Sequence, residues 1–305
     1  MKNVLVIGSI NVDYVIHTER LPKLGETLTG SDFAMNFGGK GANQAVALAK
    51  TGCNVKMLGA VGNDLSGELA INNLKAFGID TSDVLQVNAP TGAAVITVCG
   101  GDNHIILDIG ANAFVTPNAI AERESLFDWA DYVVMQYEIP MESVLFAARM
   151  TKKHQKIFVL NPAPVKEADP EIYRLTDIII PNEFETQLIT GIYPEDEKTT
   201  EEAISALLSR GCGCALITLG KRGCAYTEGD EIHYGGIYDV KVVDTTAAGD
   251  SFIGGICKSL SEGKSMQEAV AYASAVSSIT VSRPGAGASI PTAEEVEAFL
   301  KERNA

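Results

Sequence analysis

A rhythm along the chain constrains the fold most: short β-branched runs alternate with longer stretches of helical period. The runs fall at residues 4–7, 55–61, 132–135, 157–160, 178–180 and 215–219. Between two of them Met141, Val144, Leu145 and Ala148 recur at i, i+3, i+4 and i+7, which is one buried stripe of a helix. Repeated β-α-β units of this kind build a mostly parallel sheet covered by helices on both faces. Glycine punctuates the pattern at Gly52, Gly78 and Gly211, each just before the next strand, where a left-handed residue ends a helix. Thr292-Ala-Glu-Glu295 reads as a capping box opening a last helix.

Two segments break the rhythm. Residues 14–37 alternate polar and apolar side chains around Pro22 and Gly25, and residues 92–108 read as two strands joined at Gly100-Gly101-Asp102-Asn103. Both are expected to be antiparallel strands of one small sheet projecting from the body. Such a sheet is either a lid over a site or an ordinary peripheral ribbon. The length of 305 residues fits one large α/β domain or two smaller ones.

The formal charge of −15 argues against a nucleic-acid partner, because a polyanion meets net repulsion. No apolar run approaches the roughly 20 residues of a membrane span, and the early apolar run stops at Gly8-Ser9, unlike a secretory leader. The six cysteines include no C-x-x-C pair, so reduced thiols in a cytoplasmic protein are expected rather than a disulfide framework or a zinc site. The histidines are isolated, leaving no histidine triad or metal cluster.

With 29 glycines, glycine motifs need testing against chance. Gly263-Lys264-Ser265 has the tail of a P-loop, but Lys258 stands where the first glycine belongs. Gly211-x-Gly213 runs on to Leu216, so the dinucleotide fingerprint of a nicotinamide dehydrogenase is missing. Two other segments carry more. In Phe37-Gly-Gly-Lys-Gly-Ala-Asn43, glycines precede a helix of small residues expected over 44–50, so backbone can approach a ligand and Asn43 can face it. In Val243-Asp-Thr-Thr-Ala-Ala-Gly-Asp-Ser-Phe252, small residues let N–H groups converge at a helix start with Asp250 in its first turn. A helix N-terminus attracts anions and an adjacent carboxylate can accept a proton, which suits phosphoryl transfer to a hydroxyl. Asp250 serves equally as a first-turn partner of the helix dipole.

Gly38-Gly-Lys-Gly-Ala-Asn43 and Asp244-Thr-Thr-Ala-Ala-Gly-Asp250, at this separation, resemble the two signature segments of the ribokinase family of carbohydrate kinases. Gly8-Ser-Ile-Asn-Val-Asp13, Gln136-Tyr-Glu138, Asn161-Pro-Ala-Pro164, Pro181-Asn-Glu-Phe-Glu185, Thr218-Leu-Gly-Lys-Arg-Gly223 and Arg283-Pro-Gly285 extend the likeness over the whole chain. The resemblance implies a Rossmann-like three-layer α/β/α fold in one domain over 1–305, with a small β-sheet lid inserted at about 14–37 and 92–108. It also implies ATP-dependent phosphorylation of D-ribose at its 5-hydroxyl. Kinases of the same family acting on deoxyribose, fructose or a nucleoside are the alternative, and a regulator that has lost catalysis is a further one, opposed by the presence of Asp250 and Glu185.

Carried over by resemblance, Asn11, Val12, Asp13, Gly39, Lys40, Gly41, Ala42, Asn43 and Glu138 bind the sugar, and Asp250 is the catalytic base. N–H groups of Ala247, Ala248 and Gly249 form an anion hole. Asn182 lies by the nucleotide phosphates and Glu185 organises hydrated Mg2+. Thr218, Leu219, Gly220, Lys221, Arg222 and Gly223 form the nucleotide-binding turn, with Gly249, Asp250 and Ser274 as further ATP contacts. Ser274 departs from the larger residue, such as histidine or asparagine, often present there. Asp244, Thr246, Thr280, Arg283, Gly285 and Ser289 match a monovalent-cation site, usually potassium, mostly through backbone carbonyls. A homodimer through the lid is likewise implied.

Overall fold

The computed structural model describes residues 2–100 and 102–303. Its first strand, β1 (Asn3–Ile7), shows how the sheet divides the molecule. Val4 and Val6 enter one apolar layer, Leu5 and Ile7 the other, and all four are fully buried. Burial on both faces is what a central parallel strand demands. The remaining strands are β2 (Asn11–Thr18), β3 (Ser31–Gly38), β4 (Asn54–Leu58), β5 (Ala60–Gly62), β6 (Leu85–Val87), β7 (Gly92–Cys99) and β8 (Asp102–Asp108), followed by β9 (Tyr132–Met135), β10 (Ile157–Leu160), β11 (Ile178–Ile179), β12 (Cys214–Thr218), β13 (Cys224–Glu228) and β14 (Glu231–Gly235).

Eight of these form the main sheet in the order β14-β13-β12-β11-β10-β9-β1-β4. From β4 to β12 every pairing is parallel, and β13 and β14 close one edge antiparallel. The helices Lys40–Lys50, Ala248–Ser261 and Met266–Val281 pack on the Val4 side, and Met141–Lys153 and Glu197–Ser209 on the Leu5 side. The architecture is thus the expected three-layer α/β/α. Between helices the fit is close: a Cβ on Gly254 would lie 2.5 Å from Ala47 Cβ, and one on Gly255 2.6 Å from Ala273 Cα.

Three expectations need correction. The run at 55–61 is two strands, because the chain leaves the main sheet at Gly59, whose carbonyl receives Leu85 N–H, and β5 pairs with β6 instead. The helix expected over 44–50 begins at Lys40, so the glycine-rich segment is a helix start rather than a loop. The projecting sheet, ordered β3-β2-β7-β8, is not wholly antiparallel, since β2 and β7 run parallel, Asn11 opposite Gly92. Both strands run the same way from the body, and β3 and β8 bring the chain back outside them. Gly101, in the expected turn between β7 and β8, lies outside the described residues. No helix is long and apolar enough to cross a membrane among those residues, and the six cysteines are free.

Candidate active site

In an open parallel sheet, ligands bind outside the carboxyl ends of the strands, where the strand order reverses. Here the reversal falls at β1, flanked by β4 on one side and β9 on the other. The residues just beyond those ends are polar: Ser9 after β1, Gln136 and Glu138 after β9, Asn161 after β10, and Asn182 after β11.

Glu138 ties this edge to the Lys40 helix. One carboxylate oxygen accepts Ser9 Oγ at 2.5 Å and Lys40 N–H at 3.0 Å, while Ala42 N–H donates to Ser9 O. A carboxylate beside the first N–H groups of a helix is favoured by their unpaired donors. Asn11, at the foot of β2, is buried and its Oδ1 accepts from Asn112 Nδ2 at 2.8 Å, with Asn112 Oδ1 held by Ile10 N–H. Asp13 is raised to about 6, chiefly by burial and then by the negative charge of Glu138. Burial alone would lower Lys40, but Asp250, Glu138 and Glu185 together hold its ammonium above the usual range. Three carboxylates thus act on one lysine. Val12 is a fully buried core residue and Ala42 is nearly so, which leaves only their backbone for any ligand.

Asp250 stands in the first turn of the Ala248 helix, 7% exposed. Asn43 Nδ2 reaches its Oδ2 at 3.2 Å and Gln44 Nε2 its Oδ1 at 2.9 Å. Asn43 therefore meets Asp250, joining the two signature segments across the site. Ala247 opens this helix with φ 60°, a left-handed conformation that costs a non-glycine residue about 1 kcal/mol or more and recurs at functional turns. Of the proposed anion-hole donors, Ala248 N–H is already bonded to Thr245 O at 3.2 Å. Among the described residues the N–H groups of Ala247 and Gly249 have no backbone acceptor, so an incoming anion would find those two, with Asp250 N–H beside them.

Asn182 caps the Glu183–Thr190 helix, and Glu185 answers it, accepting Asn182 N–H at 2.9 Å. Burial raises Glu185, an effect opposed by Asn182 N–H and Lys40. Thr218 joins this corner through its N–H to Pro181 O, and Leu219 N–H closes the 218–223 turn on Gly223 O. The side chains of that turn diverge. Leu219 is core, Lys221 is exposed, and the Arg222 guanidinium binds Glu183 at 2.8 Å and the carbonyls of Pro194 and Glu195. Ser274 lines a cavity of about 410 Å³ with Gly235, Gly236, Tyr238 and Val270, and Gly223 of that turn packs against its Gly235–Gly236 wall.

Of the expected cation positions, Asp244, Thr246 and Gly285 are joined by hydrogen bonds. Asp244 Oδ1 accepts Thr246 N–H and Oγ1–H, while Oδ2 accepts Gly285 N–H at 3.0 Å. Burial would raise Asp244, yet these donors outweigh it and hold the carboxyl below its ordinary range. The Arg283 guanidinium pairs with Glu295, Thr280 Oγ1 donates to Val276 O, and Ser289 Oγ to Ala286 O. These side chains are thus spent locally, and only carbonyl oxygens remain for an ion.

Gln44 and Asn112 are polar partners that motif reading passes over, and Ser9, Gln136 and Asn161 enter it only as motif members without a role. Their signal is burial of a polar residue immediately after a strand or inside a small-residue helix, which needs the fold to be seen.

Residues 1–293 match the family model described as pfkB family carbohydrate kinase. A ribokinase of Haemophilus influenzae is 38% identical, over 98% of this chain and 99% of the relative. A deoxyribokinase of Salmonella typhi is 33% identical, over 98% of this chain and 98% of the relative. The structure of Arabidopsis thaliana ribokinase complexed with ribose and ATP superposes with a TM-score of 0.94 at 32% identity, covering 98% of this chain and 99% of that one. The whole-length match, together with the juxtaposition of the two signature segments at Asp250, makes this chain a member of the pfkB family of carbohydrate kinases.

Proposed function

We propose that this chain is an ATP-dependent ribokinase, converting D-ribose and ATP to D-ribose 5-phosphate and ADP. One observation carries the reading: Asp250 is a buried carboxylate at a helix start, met on its two oxygens by amide donors of Asn43, from the opposite signature segment, and of Gln44 next to it. The likeness to a ribokinase and to the ribose- and ATP-bound structure supports ribose as the acceptor.

In this reading Asn11, Asp13, the 39–43 helix start and Glu138 hold the sugar. Carboxylates accept hydroxyl protons and asparagines both donate and accept, so this set satisfies several hydroxyls of a small polyol. Asp250 takes the proton of the attacking hydroxyl as its oxygen bonds to the γ-phosphorus, and the bond to the ADP oxygen breaks. Ala247, Gly249 and Asp250 N–H groups face the charge of the transferring group, where fixed donors contribute most. Mg2+, bound with ATP, neutralises phosphate charge; Glu185 retains lone pairs for its water ligands. The nucleotide passes the 218–223 turn, its base toward Ser274 and the exposed Ile237, Val242 and Val243. Potassium beside the Asp244 turn, a homodimer through the lid, a single domain over 1–305 and a cytoplasmic setting complete the proposal.

A second reading, a deoxyribokinase, is favoured by the 33% identical relative of that name. ADP release measured over ribose, deoxyribose, fructose and nucleosides separates the two; a preference for anything but ribose overturns the specific activity while leaving the family. In the same assay Asp250→Asn is expected to lower kcat by at least about a hundredfold, the low end of general-base contributions. Near-normal turnover would remove Asp250 from the role.

A further inference from the structure

A chain of buried amides runs beside Asp250, and its two ends fix its direction. Asn161 Nδ2 donates to Ile180 O at 2.9 Å, so the oxygen of that amide faces Gln44. An amide oxygen only accepts, and it therefore meets Gln44 Nε2, at 3.3 Å. The other hydrogen of the same Nε2 reaches Asp250 Oδ1 at 2.9 Å. Gln44 Oε1 accepts Gln136 Nε2 at 2.6 Å. Gln44 and Gln136 are fully buried, so water does not compete for these positions.

Gln136 Oε1 is a buried acceptor with no partner among the described residues. Turning that amide over would set its oxygen against Gln44 Oε1. The chain keeps the orientation that serves Gln44 and leaves an acceptor unpaired, a condition native interiors rarely tolerate. Room for it exists because residue 8 is glycine; a Cβ there would lie 2.1 Å from Gln136 Oε1.

We infer that Gln44, its amide set by Asn161 and Gln136, is a positioning residue that holds the Asp250 carboxylate in the orientation phosphoryl transfer uses. With Oδ1 pinned by Gln44, the second oxygen, only loosely held by Asn43, is presented to the substrate hydroxyl. The inference rests on Asp250 being the base.

The test compares Gln44→Met, Gln136→Glu, Gln136→Met and Asp250→Asn by kcat, ribose KM and thermal midpoint. Gln44→Met keeps length and loses the donor; its kcat should fall about ten- to hundredfold, the range for a hydrogen bond to a charged group, with a smaller change in ribose KM. Gln136→Glu places an acceptor where Gln44 Oε1 now receives a proton. The Gln44 amide must turn over and offer its oxygen to Asp250, so kcat should fall as far, although residue 136 does not touch Asp250. Gln136→Met should fall less, because Asn161 still sets the amide. Unchanged kcat in Gln44→Met, with Asp250→Asn inactive, overturns the inference and leaves the base in place. Should Gln44→Met fail to fold, equal losses in the two residue 136 variants overturn it, and the graded order supports it. Near-normal turnover in Asp250→Asn instead removes the base and this role with it.

Discussion

Asp13 is half-buried and Asp250 buried, and their surroundings differ in kind. Asp250 has two amide donors; Asp13 has a like charge nearby and is raised to about 6. The sign follows from linkage. A carboxyl whose folded value exceeds its unfolded value costs stability when ionised, and that cost appears as pH rises through about 4 to 6 and stays constant above. Asp13→Asn removes it. The variant should match the parent in thermal midpoint near pH 4 and exceed it by on the order of 1–3 kcal/mol above pH 6, while ribose binding weakens; melts across that range, with and without ribose, check it. Parent and variant melting alike at pH 7 would place Asp13 in an unstrained setting. Glycines, Asp250 and Asp13 were legible in the sequence because their motifs are contiguous. Gln44 was read as part of an apolar helix, and Gln136 and Asn161 only as motif members, because their partners lie over ninety residues away.

At the scale of elements, the β-α alternation was readable because burial on both faces demands unbroken apolar runs. The parallel junction of β2 with β7 was not, since hairpin signals describe neighbours in sequence and this pair is joined across the body. The Asp244 turn is another long-range device. Its carboxylate staples residues 244–246 to the N–H of Gly285, and Val243 and Asp244 both donate to Val281 O. That frame holds the start of the Ala248 helix without contacting Asp250. A cation bound to carbonyls there would stiffen the left-handed turn at Ala247. Turnover should accordingly be faster in potassium than in sodium at matched ionic strength, and Asp244→Asn should shrink the difference. Equal rates in the two salts would count against the cation site.

Across the whole molecule the charge of −15 opposes an approaching ATP, so in the proposed reading its capture falls to local backbone donors and the cations. The lid sheet carries unusual apolar exposure: Val95 50%, Ile105 55%, Ile106 74% and Leu107 52%. Register sets Met35, Tyr14, Val95 and Ile106 in one row across it. Contiguous apolar surface of this sort marks a surface that is covered in use, and a second lid is the proposed cover. Sedimentation should give a dimer for the parent chain and a monomer for Ile106→Glu; a monomeric parent would exclude the assembly. The short link between β1 and β2 has one more consequence. Only residues 8–10 separate a strand of the rigid body from the lid strand that carries Asn11 and Asp13. If the proposed lid swings about that link, it would carry Asn11 and Asp13, two of the proposed sugar ligands, with it. In the proposed reading, letting the product out and letting go of it would then be a single motion, with the dwell time of the phosphorylated sugar set by how often that link opens.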